Sequence, residues 1–454
     1  MPNPLSEARW SIWGARVVQP EQTGPALIHV VDGRIDAIIP QEAPPKGVEL
    51  AGDTVLMPAL VDTHVHVNEP GRTEWEGWRT ATSAAALGGI TTLADMPLNS
   101  DPVTTTVDAL EAKRAAMTGQ LHVDCALWGG VIPGNTPQLS PMVDRGIRGF
   151  KCFLCPSGID EFPEVGRADL QQAMPVLRDR GVPLLVHAEL ELPLSAEAQA
   201  IVDQGAPSDY RTYLHSRPPE WEDAAVAMMV ELCRETGCPV HIVHLSSAGA
   251  LPILRQAKKE GLPITAETCP HYLCLQAEAV PAGDTAYKCA PPIRGRANQE
   301  ALWAALDEGI IDFVVTDHSP CIPGLKNFDT GDFLTAWGGI ASLQLGLASV
   351  ATEARRRGHG IPDLVRWMTH GPARLLGLPS RGLVPGASAD LIAWEPDTPF
   401  EVDGHKLAHR HPTTPYQGRV LTGHVRHTWL RGQRIVHHGA LVPECLGRPL
   451  LSES

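Results

Sequence analysis

Val61-Asp62-Thr63-His64-Val65-His66-Val67-Asn68-Glu69-Pro70-Gly71-Arg72 follows a short apolar run, Met57 to Val61, and places two histidines two residues apart. Successive side chains of a strand alternate faces, so His64 and His66 point the same way and are spaced to share one metal ion. Taken alone, such a pair reads equally well as two solvated histidines on an edge strand. What separates the two readings is the rest of the chain, where further potential ligands fall at the ends of other apolar runs.

Eight such runs alternate with helical stretches: Pro58 to His66, Ile90 to Met96, Leu121 to Trp128, Ile147 to Phe153, Val182 to His187, Val240 to Leu245, Pro263 to Thr268 and Ile311 to Thr316. Amphipathic stretches such as Glu76 to Leu87, Val107 to Met117, Leu170 to Arg180, Trp221 to Thr236, Ala248 to Glu260 and Gln299 to Glu308 lie between them. This alternation predicts an α/β fold, a parallel (β/α)8 TIM-like barrel over residues 57–384, whose chemistry sits at the C-terminal ends of the strands. His64, His66, Lys151, His187, His244 and Asp317 all fall at those ends. Residues 1–56 and 385–454 instead read as short strands with turn signals, Asp32-Gly33 among them, and predict a small composite β-sandwich built from both termini.

The 454 residues are 43% hydrophobic and 20% charged, the make-up of a soluble globular protein. A net charge of -15 excludes a nucleic-acid partner, which would demand a basic face. No apolar run approaches the roughly 20 residues of a membrane span, and Met1 to Trp10 lacks the features of a signal peptide, so a cytoplasmic protein without a membrane partner is expected. Ten cysteines are scattered without a disulfide framework; Cys152 and Cys155 form a Cys-x-x-Cys with no second pair at zinc-site spacing.

Lys151 as an ammonium has only donors and cannot ligate a metal. Beside metal charge in a partly dry barrel mouth the neutral amine is favoured, and it can add carbon dioxide to become a carbamate whose two oxygens bridge two metals. His187 ends a buried run. His241 and His244 are three residues apart and so point to opposite faces; His244, at the strand's end, is the one expected at the mouth. Asp317 suits a metal ligand, a general base or a helix cap, and as a base it can move a proton from water to a leaving nitrogen.

With these residues the chain resembles the cyclic amidohydrolases of the amidohydrolase superfamily, and among them the allantoinases. The resemblance runs from the histidine pair to Pro415-Tyr416-Gln417-Gly418, and includes Asp95-Met96-Pro97-Leu98-Asn99-Ser100, Gly149-Phe150-Lys151-Cys152-Phe153-Leu154-Cys155-Pro156-Ser157-Gly158, Asp317-His318-Ser319-Pro320-Cys321 and Trp337-Gly338-Gly339-Ile340. It implies two divalent metals, most commonly Zn2+ with Co2+, Mn2+ or Fe2+ as alternatives, bridged by a carbamate on Lys151. His64, His66 and Asp317 would hold one metal and His187 and His244 the other. It further implies a homotetramer, and a small-molecule substrate, allantoin, opened to allantoate by a metal-activated bridging hydroxide with Asp317 as general base and acid.

Asn68, Ser157, Ala290, Ser319 and Gly338 are the implied substrate contacts. Dihydroorotases carry an arginine where this chain has Asn68, and hydantoinases and dihydropyrimidinases a tyrosine soon after the lysine, which is missing here. Ala290 departs from the serine usual before the paired prolines. The competing readings are a hydantoinase, dihydropyrimidinase or dihydroorotase and, from a different class, a non-catalytic dihydropyrimidinase-like scaffold.

Overall fold

Runs rich in Val, Ile and Leu suit strands buried on both faces, and they build the centre of the molecule. In the computed structural model, which describes residues 9–379 and 381–452, these runs form eight parallel strands. They are Leu60–Val65, Ile90–Asp95, Asp124–Leu127 continued by Gly129–Gly130, Phe150–Phe153, Leu184–His187, Val240–Ile242, Ile264–Thr268 and Phe313–Val314. Each pairs in parallel with the next. Trp128 carries the ladder across the break in the third strand, its N–H donating to the Asp95 carbonyl at 3.0 Å while Gly129 N–H reaches Gly149 at 3.0 Å. The ring closes where His66 N–H donates to the His318 carbonyl at 2.8 Å. A (β/α)8 barrel results, as the alternation predicts.

The sixth and eighth strands stop short of the predicted runs, at Ile242 and Val314. The chain leaves extended geometry just beyond them, at His244 with φ 39° and Asp317 with φ 45°, conformations that end pairing and re-aim the side chains. Among the helices, Pro219–Thr236 shows why these segments form where they do. Proline opens it, Glu220 and Glu222 occupy its first turn, Arg234 its last, and Gly237 ends it at φ 70°. It buries Trp221, Ala225, Val226, Met229, Val230, Leu232 and Cys233. Several helices escaped the periodicity reading, among them Thr136–Asp144, Ala196–Gln204, Tyr210–Ser216 and Gly346–Arg356. The first three run nine residues or fewer, too short for an apolar period to stand out, whereas Gly346–Arg356 has one and buries Leu347, Val350, Ala351 and Ala354 along a single face.

The two termini meet in one nine-stranded mixed sheet. Arg9–Val18, Thr23–Val31, Arg34–Pro40 and Val55–Pro58 come from the front of the chain, Leu391–Glu401, Val420–Leu430 and Gln433–His437 from the back. The joint is Val55–Pro58, antiparallel to Leu391–Trp394 and parallel to Arg16 and Val17. Ile12, Val17, Ile28, Leu56, Leu391 and Trp429 are buried beneath it. Residues 1–8 and 453–454 of the segments expected in this unit lie outside the described residues. All ten cysteines are free, and among the described residues no helix is long and apolar enough to cross a membrane.

One buried ion pair ties the barrel to the histidine pair. Lys113 Nζ lies 2.6 Å from Asp95 Oδ2, and the other oxygen, Oδ1, accepts from Val67 N–H at 2.8 Å, one residue past His66. Both side chains are 1% exposed, so removing one partner strands a charge in the core. Lys113→Met is expected to lower stability by about 3–5 kcal/mol. Adding Asp95→Asn should restore part of the loss, measured as the denaturation midpoints of the single and double variants.

Candidate metal centre

Strand alternation and the left-handed turns after strands six and eight bring the predicted ligands to one mouth. His64 Nε2 lies 3.2 Å from Asp317 Oδ1, and His66 Nε2 lies 3.6 Å from the same oxygen. On the opposite side His187 Nδ1 faces His244 Nε2 at 3.0 Å. The two halves adjoin, with the His64 and His244 rings 5.3 Å apart. Ligand atoms of His64, His244 and Asp317 all fall within 4.8 Å of one another. Lys151 joins them at the wall of the same cavity, of about 360 Å³, its ammonium 5.1 Å from the Phe153 ring.

Carboxylates hold the far sides of the histidines. Glu267 Oε1 sits 2.5 Å from His64 Nδ1, and its other oxygen lies 3.0 Å from His241 Nε2. Glu189 Oε2 lies 2.7 Å from His187 Nε2 and is itself held by Arg217 through two bonds, of 3.1 and 2.6 Å. A histidine that donates one N–H to a carboxylate presents the lone pair of its other nitrogen, so His64 offers Nε2 and His187 offers Nδ1 toward the centre. His241 lies behind the mouth, committed to Glu267 and, at 2.8 Å, to Thr265.

Burial sets the charge states. It holds His66 and His244 well below the ordinary histidine range and His187 down at about 4, the last despite Glu189. Burial likewise lowers Lys151 to about 8, against the opposing pull of Asp317 and Glu267. Asp317 is raised to about 6 by burial, although His64 and Lys151 favour its ionised form. Burial opposes ionisation of Glu189 and Glu267 too, yet Arg217 with His187, and His64 with His241, bring each to about 2.

Four imidazoles, two carboxylates behind them and one in front form a donor set suited to divalent metal. The buried His64 Nε2 and His244 Nδ1 lack hydrogen-bond partners, a situation that ordinarily costs about 1–3 kcal/mol per group and that metal ligation at His64 Nε2 would relieve. The residues therefore fit the metals that the resemblance implies. Cys155, near His187 and Glu189, is pushed up to about 12 by burial and is a poor thiolate ligand.

Of the expected substrate contacts, Ser157, Ala290, Ser319 and Gly338 line the cavity. Asn68 does not: it is fully buried with φ 66°, and its amide donates to the Pro320 carbonyl at 3.2 Å. Asn99 lines the cavity instead, with its amide nitrogen 3.5 Å from His66 Nδ1. Gly338 and Ala290 are neighbours, since a Cβ on Gly338 would lie 3.8 Å from the Ala290 nitrogen. The adjoining Gly339, at φ 136°, has no room for a Cβ against the Ser319 carbonyl. Glu189, Glu267, Arg217, Tyr213 and Lys288 are the residues that sequence reasoning missed. His187-Ala188-Glu189 carried a signal for one of them, had a partner for the far nitrogen of each histidine been sought.

The chain belongs to the amidohydrolase family, whose model matches residues 55–435. This is a metal-dependent family of hydrolases, and the barrel mouth is where its members work. The chain is 49% identical over 453 residues to an allantoinase of Streptomyces avermitilis, covering 99% of this chain and all of that one. It is 43% identical over 410 residues to an allantoinase of Arabidopsis thaliana, covering 87% and 80%. Among solved structures it matches an L-hydantoinase (dihydropyrimidinase) of Arthrobacter aurescens with a TM-score of 0.90 at 29% identity, over 98% of this chain and 100% of that one.

Because Glu189 and Glu267 each orient one histidine, Glu189→Gln or Glu267→Gln is expected to weaken metal binding by about 10- to 100-fold. Metal content after equilibration against graded chelator buffers measures it, with the wild-type content as reference.

Proposed function

We propose that this chain is an allantoinase, which opens the hydantoin ring of allantoin by hydrolysis to give allantoate. The observation that carries the reading is the meeting of His64, His244 and Asp317 within 4.8 Å, beside Lys151, in a chain 49% identical to an allantoinase along its whole length. His64, His66 and Asp317 would hold one metal, His187 and His244 the other, with Lys151, once carboxylated, as the ligand shared between them. The Lys151 amine, lowered to about 8 by burial, gives up its proton more readily than an ordinary lysine; on adding CO2 it would release a proton and become a carbamate. Zinc suits this set of nitrogen and oxygen donors, as do cobalt, manganese and iron.

The metals, when bound, supply Lewis acidity toward the ring carbonyl and lower the pKa of water. Everything else falls to the protein. Asp317 would take the proton of the attacking water and deliver it to the ring nitrogen as the C–N bond breaks, a carboxylate at the wall of the cavity beside His64 and His66. Ser157, Ser319 and the backbone at Ala290 and Gly338 orient the ring, and Asn68 acts at one remove by fixing the loop at Pro320. No arginine stands in place of Asn68, and the guanidinium that does line the cavity, Arg217, is already committed to Glu189, which disfavours the carboxylate of dihydroorotate. The same reading keeps residues 57–384 as the catalytic barrel and 1–56 with 385–454 as the composite sheet that closes it. A homotetramer in the cytoplasm belongs to it too, on the resemblance and the composition.

The metal-loaded protein, supplied with bicarbonate, is expected to turn over allantoin faster than hydantoin, dihydrouracil or dihydroorotate, measured as initial rates side by side. Lys151→Ala should abolish turnover and reduce bound metal. Preference for dihydroorotate or dihydrouracil would replace the substrate assignment, and a well-folded protein that takes up no metal would favour the scaffold reading.

A further inference from the structure

Besides Lys151, the buried ammonium groups of Lys288 and Lys326 pair with no carboxylate among the described residues. They are 8% and 3% exposed. A charge buried in this way is costly unless donors and acceptors match, and each lysine finds acceptors only on the backbone. Lys288 Nζ donates to the carbonyls of Leu334 at 2.9 Å and Ala336 at 2.5 Å. Lys326 Nζ donates to those of Trp337 at 3.1 Å and Gly339 at 2.5 Å. Four carbonyls within six residues are thus turned onto two cations.

The segment so held is a strap across the substrate cavity. Leu334, Ala336, Trp337, Gly338 and Gly339 all line it, yet they belong to no helix or strand of their own. Asp332 ties down the front of the strap, accepting from the N–H groups of Leu334 at 2.7 Å, Thr335 at 3.2 Å and Ala336 at 3.0 Å and from the Thr335 hydroxyl at 2.7 Å, and Asn327 donates to that hydroxyl at 3.0 Å; at the back, Trp337 N–H donates to Leu325 at 2.7 Å, Gly339 N–H to Lys288 at 2.8 Å, and the Trp337 ring meets Trp75 edge-on at 5.0 Å. The 337–338 peptide is trans and planar, so turning the Trp337 carbonyl onto Lys326 aims the Gly338 N–H the opposite way. Among the described residues that N–H has no acceptor. Lys326 does not line the cavity itself.

We propose that Lys288 and Lys326 are positioning residues that clamp the strap so that the Gly338 amide is presented to the ring of the substrate, which makes them determinants of substrate binding. The proposal rests on the hydrolase reading given above for its substrate. Its physical core, the clamp, does not.

Lys288→Met and Lys326→Met test it in the metal-loaded full chain, with steady-state kinetics on allantoin, metal content and hydrogen exchange of the strap amides. Both variants are expected to raise KM for allantoin by about tenfold, the effect of one charged hydrogen bond, with a smaller change in kcat and full metal content. Lys288→Gln, which keeps a neutral donor, should recover part of the KM. Trp337 and Gly339 amides should exchange at least about tenfold faster in both methionine variants while barrel amides do not change. A rise in KM with Lys288→Met but none with Lys326→Met would overturn the proposal, because it would mean direct contact by Lys288 alone. So would loss of metal in step with loss of kcat. If the wild-type protein does not hydrolyse allantoin, the functional reading fails by itself. Exchange then decides the clamp, and unchanged strap amides in either variant would overturn it.

Discussion

Closure of the barrel between its first and last strands is the contact on which the centre depends. The hydrogen bond from His66 N–H to the His318 carbonyl joins residues 252 positions apart and sets the His-x-His strand beside Asp317. Without that register, His64 and His66 would face a cavity with no carboxylate of their own. Asp62 reinforces the same seam, its Oδ2 accepting from Thr316 N–H at 3.1 Å and from the Thr316 hydroxyl at 2.6 Å. Closing the parallel sheet on itself leaves no unpaired edge and at the same time sets the ligands opposite one another, so the ring and the site are products of one constraint.

The two halves of the centre are built differently behind their ligands. Glu267 serves His64 and His241 at once and meets no arginine, so its negative charge remains directed at the His64 side, where Asp317 adds another. Glu189 is neutralised by a two-bond contact with Arg217, so the His187 side carries little net charge of its own. A cation therefore feels a more negative surrounding at the first position than at the second. Arg217 also lines the cavity, which places the same guanidinium behind a histidine and at the substrate wall.

Around this centre the molecule spends buried polar groups freely. Glu222 is buried against Arg294 at 2.7 Å, and its second oxygen accepts from Ser246 N–H at 3.0 Å and Ser247 N–H at 3.1 Å, in the loop that follows His244. His318 Nε2 meets Glu76 at 3.2 Å, with its Nδ1 accepting from Ser342 N–H at 3.1 Å, next to Asp317. Such networks rigidify loops that carry ligands, since each partner fixes the next and an unpaired member would be costly in low dielectric.

Much of this was legible in the chain. The eightfold alternation, the strand-end positions of the six ligand residues and the priority of His244 over His241 follow from side-chain period and strand direction, which are local properties. Asn68 marks the limit: a neutral amide after the histidine pair reads as a substrate contact, yet the left-handed turn at φ 66° gives its amide to Pro320. Nor could spacing reveal that Asn99, Arg217 and Lys288 gather at the mouth with Glu267 behind it, for they come from different strands and loops and carry no shared motif. Local sequence determined which residues stand at the strand ends, because periodicity is written into neighbouring positions. Only the closed tertiary structure decided which of them meet, because distances across the barrel are set by the register of strands far apart in the chain.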